Sequence, residues 1–145
     1  MIYNIFYEMI KAIETPLLHI QEVINVIHIF LHTNNLISNS MKYANLKKDD
    51  PFIEVHVKAS HEKAEVRVID NGEGIPSEAQ PKIFDMFYRG SARGMGSGLG
   101  LYIVKEALQK INGSISVVSE FGKGTEFVVE IPNMNHEGHS HLKNS

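Results

Sequence analysis

A chain of 145 residues, 43% hydrophobic and 21% charged with a formal net charge of -3, reads as one globular unit large enough to fold without a disulfide or a metal. Cysteine is absent, which removes disulfide frameworks, thiolate metal sites and cysteine nucleophiles together. Lys and Arg number 14 against 17 acidic residues, so there is no basic footprint for nucleic acid.

Residues 1–33 read as an amphipathic helical arm. Phe6, Ile13, Ile20 and Ile27 lie seven apart; Met9, Val23 and Phe30, and then Ile10, Leu17, Ile24 and Leu31, follow the same heptad. Three apolar positions in seven suit a helix packed in a bundle. Pro16 removes a helical hydrogen bond, so a kink or a helix boundary is expected near Thr15. The stripe is either core for the rest of the chain or a self-association surface, which a second copy would cover by twofold symmetry to give a homodimer. Lys11 follows the first apolar stretch instead of preceding it, so no secretory leader is expected. Residues 23–41 lack formal charge but hold too many His, Asn, Ser and Thr side chains to lie in lipid, and no membrane segment is expected.

At Asn34 the heptad gives way to a new helical pattern. Leu36, Ile37, Ser40, Met41 and Ala44 form one face, and Asn35, Asn39 and Lys42 stack along another at spacings of four and three. Ile53, Val55, Val57 and Ala59 then alternate with Glu54, His56 and Lys58, and Ala64, Val66 and Val68 alternate with Glu65 and Arg67, which predicts a hairpin with one buried face. Its second strand runs into Asp70-Asn71-Gly72-Glu73-Gly74-Ile75-Pro76, a turn in which the backbone can approach a neighbour closely. Ser77 and Gln80 have capping-box spacing before a short helix that Pro81 limits, and Phe84, Met86, Phe87 and Tyr88 form an aromatic-rich cluster. Five glycines and two arginines fall among the twelve residues from Arg89 to Gly100, the composition of a mobile loop. Leu101, Val104, Leu108 and Ile111 mark a helix face ended by Asn112-Gly113. Ile115 and Val117, then Phe127, Val129 and Ile131, predict a second hairpin around Phe121-Gly122-Lys123-Gly124, and a polar tail occupies 133–145.

Gly96, Gly98 and Gly100 lead into a helix, where backbone N–H groups and the positive end of the helix dipole suit an anion such as phosphate. Alone, this loop is equally readable as a glycine-rich turn without a ligand. It is accompanied by three further motifs. Asn35-Leu-Ile-Ser-Asn39-Ser-Met-Lys42-Tyr43 resembles the N box, Asp70-Asn-Gly72-Glu-Gly74-Ile75 the G1 box, Lys82-Ile-Phe84-Asp-Met-Phe87-Tyr-Arg89 the F box and Gly96-Ser97-Gly98-Leu99-Gly100 the G2 box of the ATP-binding domain of sensor histidine kinases, in the GHKL superfamily. Gly122-Lys-Gly124-Thr125 resembles the family's last conserved turn.

The resemblance covers 34–132 and implies an α+β fold, a two-layer α/β sandwich of the Bergerat type, with a mixed sheet packed on three helices and nucleotide held between the N-box helix and the glycine loop. It implies that Asp70 accepts from the adenine amino group, that Asn39 ligates Mg²⁺, and that Lys42, Arg89 and Arg93 meet phosphate oxygens. Tyr43 and Ile75 would pack on the base. The resemblance likewise implies nucleotide contacts for Gly72 and Gly74 of the G1 box, for Gly96, Ser97, Gly98, Leu99 and Gly100 of the G2 box, and for Thr125 of the last conserved turn. Where relatives that hydrolyse ATP carry a water-activating glutamate, this chain has Asn35; an amide has no basic site near neutral pH, which disfavours hydrolysis and leaves transfer to a histidine possible.

The family's phosphoacceptor helix carries His-Glu-x-x-Thr-Pro. Here Lys11-Ala-Ile-Glu14-Thr15-Pro16 places Lys11 where the histidine would stand, so the acceptor is expected in trans or elsewhere in a parent protein. Among the eight histidines, His19, His28 and His32 fall outside the apolar stripe, His56 on an outer strand face and His61 in a turn, and His136, His139 and His141 in the tail. Two functions follow: an ATP- and Mg-dependent histidine kinase catalytic domain acting with a response regulator in the cytoplasm, from a parent that is membrane-anchored or not, or a nucleotide-binding dimerisation or regulatory module without phosphotransfer.

Overall fold

The computed structural model describes residues 33–60, 63–90 and 96–132. His61, Arg93, the histidines of the tail and the heptad arm, with the kink or boundary expected near Thr15, lie outside the described residues. Residues 33–42 are helical and are termed α1. Strands β1 (Ile53–Ala59) and β2 (Lys63–Asp70), a 3₁₀ turn at Gln80–Lys82, helix α2 (Gly100–Lys110), and strands β3 (Ser114–Glu120) and β4 (Gly124–Pro132) follow.

Both expected hairpins form. In the first, Val55 pairs with Val68 and Val57 with Val66, and the Ser60 N–H closes the connection on the Lys63 carbonyl at 2.9 Å. In the second, Val117 pairs with Phe127 and Ile115 with Val129. The hairpins join through β2 and β4 to give the order β1-β2-β4-β3. All three pairings among the described residues are antiparallel, where the resemblance implied a mixed sheet, and the helical layer there consists of α1, α2 and one 3₁₀ turn instead of three full helices. Pro81 explains the short turn, because it fixes its own φ and lacks an N–H to continue a helix. No helix among the described residues is long and apolar enough to cross a membrane.

The period-2 pattern sends Val66, Val68, Phe127, Val129 and Ile131 to one sheet face, where they close around Leu36 of α1 and Val104 and Leu108 of α2. Each fully buried aliphatic side chain contributes about 1.5–3 kcal/mol relative to exposure. Helix α2 stops where expected: Asn112 takes φ 56°, and the Gly113 N–H donates to the Leu108 carbonyl at 2.8 Å. Two local expectations fail. Met41 is 63% exposed instead of buried, because Thr33, Leu36 and Ser40 already define the inward stripe of α1. Ser77 and Gln80 form no capping box; the Gln80 amide instead donates to the Ile75 and Ser119 carbonyls, both at 2.9 Å, and so ties the 3₁₀ turn to β3.

The other sheet face is charged. Glu65 and Glu130 sit directly opposite each other on β2 and β4, a like-charge pair that Lys63 and Arg67 offset. Lys63 donates to Glu130, and Arg67 binds Glu65 at 2.7 Å and Glu126 at 3.0 Å. The Arg67 hydrogen bond holds the Glu65 carboxyl below its ordinary range, and the Glu130 hydrogen bond raises the Lys63 ammonium.

Leu108→Ala empties the centre of the core and is expected to cost about 2–5 kcal/mol in urea denaturation. Because the folded state depresses Glu65, its contribution is complete above the unfolded carboxylate value and is lost as pH falls through the folded one. Thermal stability should therefore fall below about pH 4, and Glu65→Gln should flatten that part of a melting-temperature profile.

Candidate functional site

The register of β2 against β4 places Asp70 beside Thr125 at one end of the two central strands. Helix α1 crosses this end. Ser40, 2% exposed, donates its hydroxyl to Asp70 Oδ2 at 2.7 Å, and the Gly72 N–H donates to Asp70 Oδ1 at 2.9 Å. Thr125 is buried with its hydroxyl 3.0 Å from that of Ser119, which also accepts the Ile75 N–H at 2.8 Å and donates to the Gly124 carbonyl at 2.8 Å. Asp70, Thr125 and Ile75 thus form one hydrogen-bonded wall.

The turn after Asp70 is gripped from both sides. Glu73 donates its N–H to the Tyr43 carbonyl at 2.9 Å and accepts the Gly122 N–H at 2.7 Å, joining the end of α1 to the β3–β4 hairpin. Lys48 reaches across the back to the Lys123 carbonyl at 2.9 Å. Asn71 accepts the Phe52 N–H at 3.0 Å and donates to the Asp50 carbonyl at 2.7 Å.

In front of this wall lies a cavity of about 430 Å³. At one end it is bounded by Asp70, Gly74, Ile75, Ala79, Ile83, Thr125 and Phe127, mostly apolar groups around a carboxylate and a hydroxyl. The polar wall comes from Asn35, Asn39 and Lys42 of α1, which share a face as their spacing predicts, together with Arg89, Gly96, Ser97, Gly98 and Gly100. The Lys42 ammonium lies against Gly96, where an added Cβ would be 2.7 Å away, and stands 5.3 Å from the centre of the Tyr43 ring. The Asn35 amide oxygen is beside the first residue of α2, so the dipole of that helix opens toward the same polar wall.

The loop that enters α2 is closed at its root. The Phe87 N–H donates to the Gly98 carbonyl at 3.1 Å, and Phe87 adopts φ 64°, an unfavourable conformation for a bulky residue. The expected cluster divides here: Phe84 packs on the core, Tyr88 lines the cavity, and Met86 and Phe87 are exposed.

Most residues singled out in the sequence meet at this cavity: Asn35, Asn39, Lys42, Tyr43, Asp70, Gly74, Ile75, Arg89, Gly96, Ser97, Gly98, Gly100 and Thr125. Gly72 and Leu99 do not line it. Gly72 is buried against the Tyr43 carbonyl, so its part is to form the turn, and Leu99 flanks the start of α2. Arg93 lies outside the described residues. Sequence reasoning placed Ser40 among core positions and missed its bond to Asp70. The signal was available, since a serine on the buried stripe of a helix requires a hydrogen-bond partner. Among the described residues no three His, Asp or Glu side chains gather as a metal cage.

The histidine kinase-, DNA gyrase B-, and HSP90-like ATPase family matches residues 25–135. The chain belongs to this family. Over 105 residues it is 43% identical to the sensor protein kinase WalK of Staphylococcus saprophyticus and 41% identical to the WalK of Staphylococcus aureus. Each match covers 68% of this chain but only 17% and 25% of the respective relative, so the chain spans a quarter or less of their length. Among solved structures it is similar to the mycobacterial sensor histidine kinase MprB, with a TM-score of 0.63 at 27% identity, over 74% of this chain and 73% of that one. It is also similar to full-length ShkA in complex with AMPPNP, with a TM-score of 0.62 at 26% identity, over 72% of this chain and 21% of that one.

Two glycines separate conformational strain from close packing. Gly122 has φ 84° with open space where a Cβ would stand, so Gly122→Ala should cost about 1–2 kcal/mol from backbone strain alone. Gly74 has φ 70° and its missing Cβ would meet the backbone of Glu120 and Phe121, so Gly74→Ala should cost more in urea denaturation and also weaken ligand binding.

Proposed function

We propose that this domain binds Mg·ATP and transfers the γ-phosphate to a histidine supplied in trans or by a larger parent protein. The observation that carries the reading is one cavity that has the pinned Asp70 carboxylate in an apolar wall and two amides, two cations and a helix N-terminus on the polar wall. A carboxylate accepts from the amino group of adenine, whereas guanine presents a carbonyl at that position, so Asp70 selects between purines. Ile75 and Tyr43 pack against the base, and Thr125 completes the wall.

Lys42 and Arg89 neutralise phosphate charge, and the backbone N–H groups around Gly96, Gly98 and Gly100 hold phosphate oxygens at the start of α2. The resemblance gives Arg93, which lies outside the described residues, the same role. The donor set fits Mg²⁺, a hard cation that prefers oxygen ligands: Asn39 would hold it through its amide oxygen. Bound there, the ion supplies charge neutralisation at the phosphates. Asn35 positions without abstracting a proton, because a carboxamide is not a base. That suits an imidazole acceptor, whose unprotonated ring nitrogen attacks phosphorus with its lone pair while the bond to the ADP oxygen breaks and ADP leaves with that electron pair, and whose other ring nitrogen then gives up its proton to solvent.

The acceptor domain and a response regulator are the partners this reading implies, and a homodimer through the arm of residues 1–33 would bring a second copy alongside. The site would work in the cytoplasm, whether or not a parent protein is anchored in a membrane.

In calorimetry with Mg·ATP, Asp70→Asn and Asn39→Ala should each weaken binding about 10- to 100-fold, as expected when a buried partner of a charged or metal-bound group is removed. Labelled ATP incubated with a histidine-containing acceptor domain should leave acid-labile label on the acceptor. Binding without transfer to any such acceptor would favour a regulatory nucleotide module instead, and equal binding by the wild type and both variants would refute the site.

A further inference from the structure

We infer that Ser40 is a positioning residue for base recognition, fixing the plane of the Asp70 carboxylate so that it meets an exocyclic amino group. The inference rests on the reading of Asp70 given above and deepens it.

The torsion that orients a carboxylate about its last carbon–carbon bond is broad and nearly twofold, so packing alone sets it weakly. Here two donors from different elements fix it. The Ser40 hydroxyl comes from α1 to Oδ2 at 2.7 Å, and the Gly72 N–H comes from the following turn to Oδ1 at 2.9 Å. One donor holds each oxygen, which leaves further lone pairs on both oxygens for a ligand. A serine within a helix commonly returns its hydroxyl to the carbonyl four residues earlier, but this one crosses between elements separated by 30 residues in sequence. Ser40 borders the cavity but is only 2% exposed, so little solvent reaches the position of its hydroxyl. Without that hydroxyl the half-buried Asp70 would be free to turn away from the orientation in which its remaining lone pairs face the cavity.

The discriminating experiment compares two nucleotides by calorimetry, ATP and purine riboside triphosphate, which lacks the amino group but keeps the ring, ribose and phosphates. Ser40→Ala should weaken ATP binding about tenfold, the size expected for loss of one hydrogen bond to a charged group, while purine riboside triphosphate binds within about twofold of the wild-type value. Ser40→Cys keeps the shape with a weak donor and should fall between. A merely structural serine would affect both nucleotides alike, and that result, or no effect on either, would overturn the assignment. Asp70→Asn separates this failure from a wider one. If it still abolishes the preference for ATP, only the part given to Ser40 falls; if neither the wild type nor Asp70→Asn distinguishes the two nucleotides, the base-recognition reading falls with it.

Discussion

The pairing of β2 with β4 is the constraint on which the rest depends. It is the one strand pairing among the described residues that no short hairpin connection enforces, and it joins segments some 55 to 70 positions apart. Its register does two things at once. Val66 and Val68 come opposite Val129 and Phe127, so four buried side chains of the central strands face the helices together, and Asp70 comes opposite Thr125 at the rim. A slip of one residue would turn the apolar set to solvent and bring the charged set of the other face against Leu36, Val104 and Leu108. The core and the site therefore share one register.

That register also explains why the fold has two layers. The face away from the helices carries Glu65, Arg67, Glu126 and Glu130, arranged so that each acid has a cation within reach. Exposed ion pairs of this kind add little stability singly. Their greater effect is to keep the face wet and so leave the helices only one surface to cover. The site then lies at the edge of the covered layer, where α1 and the start of α2 approach the ends of the central strands.

Elements with strong periodicity were legible in the sequence, because each reports a face that must be buried. The alternation in 53–59 and 114–120, and the spacing of Leu101, Val104 and Leu108, needed no partner to be read. The polar face of Asn35, Asn39 and Lys42 was legible for the same geometric reason. What could not be read was any choice between partners. Met41 fits an apolar face by spacing, but the helix had already filled its inward stripe with Thr33, Leu36 and Ser40. Gln80 fits a capping box, yet two carbonyls brought close by the tertiary fold outcompete the local N–H. Ser40 looked like filler until Asp70 arrived beside it from another element.

These partner choices concern how much freedom the site retains. Asp70 is held by α1 and its own turn, the turn by Tyr43, Gly122 and Lys48, and Ile75 through Ser119 by the second hairpin. The wall around Asp70 is thus braced by nearly every described element. The glycine loop is closed at its root, where the Phe87 N–H meets the Gly98 carbonyl. A wall held from several elements fits the proposed transfer to a histidine, in which the nucleotide would have to be fixed before the acceptor arrives. Asn35 stands on the braced helix and beside the first residue of α2, and in the proposed reaction its amide would not compete with the acceptor for a proton, because a carboxamide is not a base.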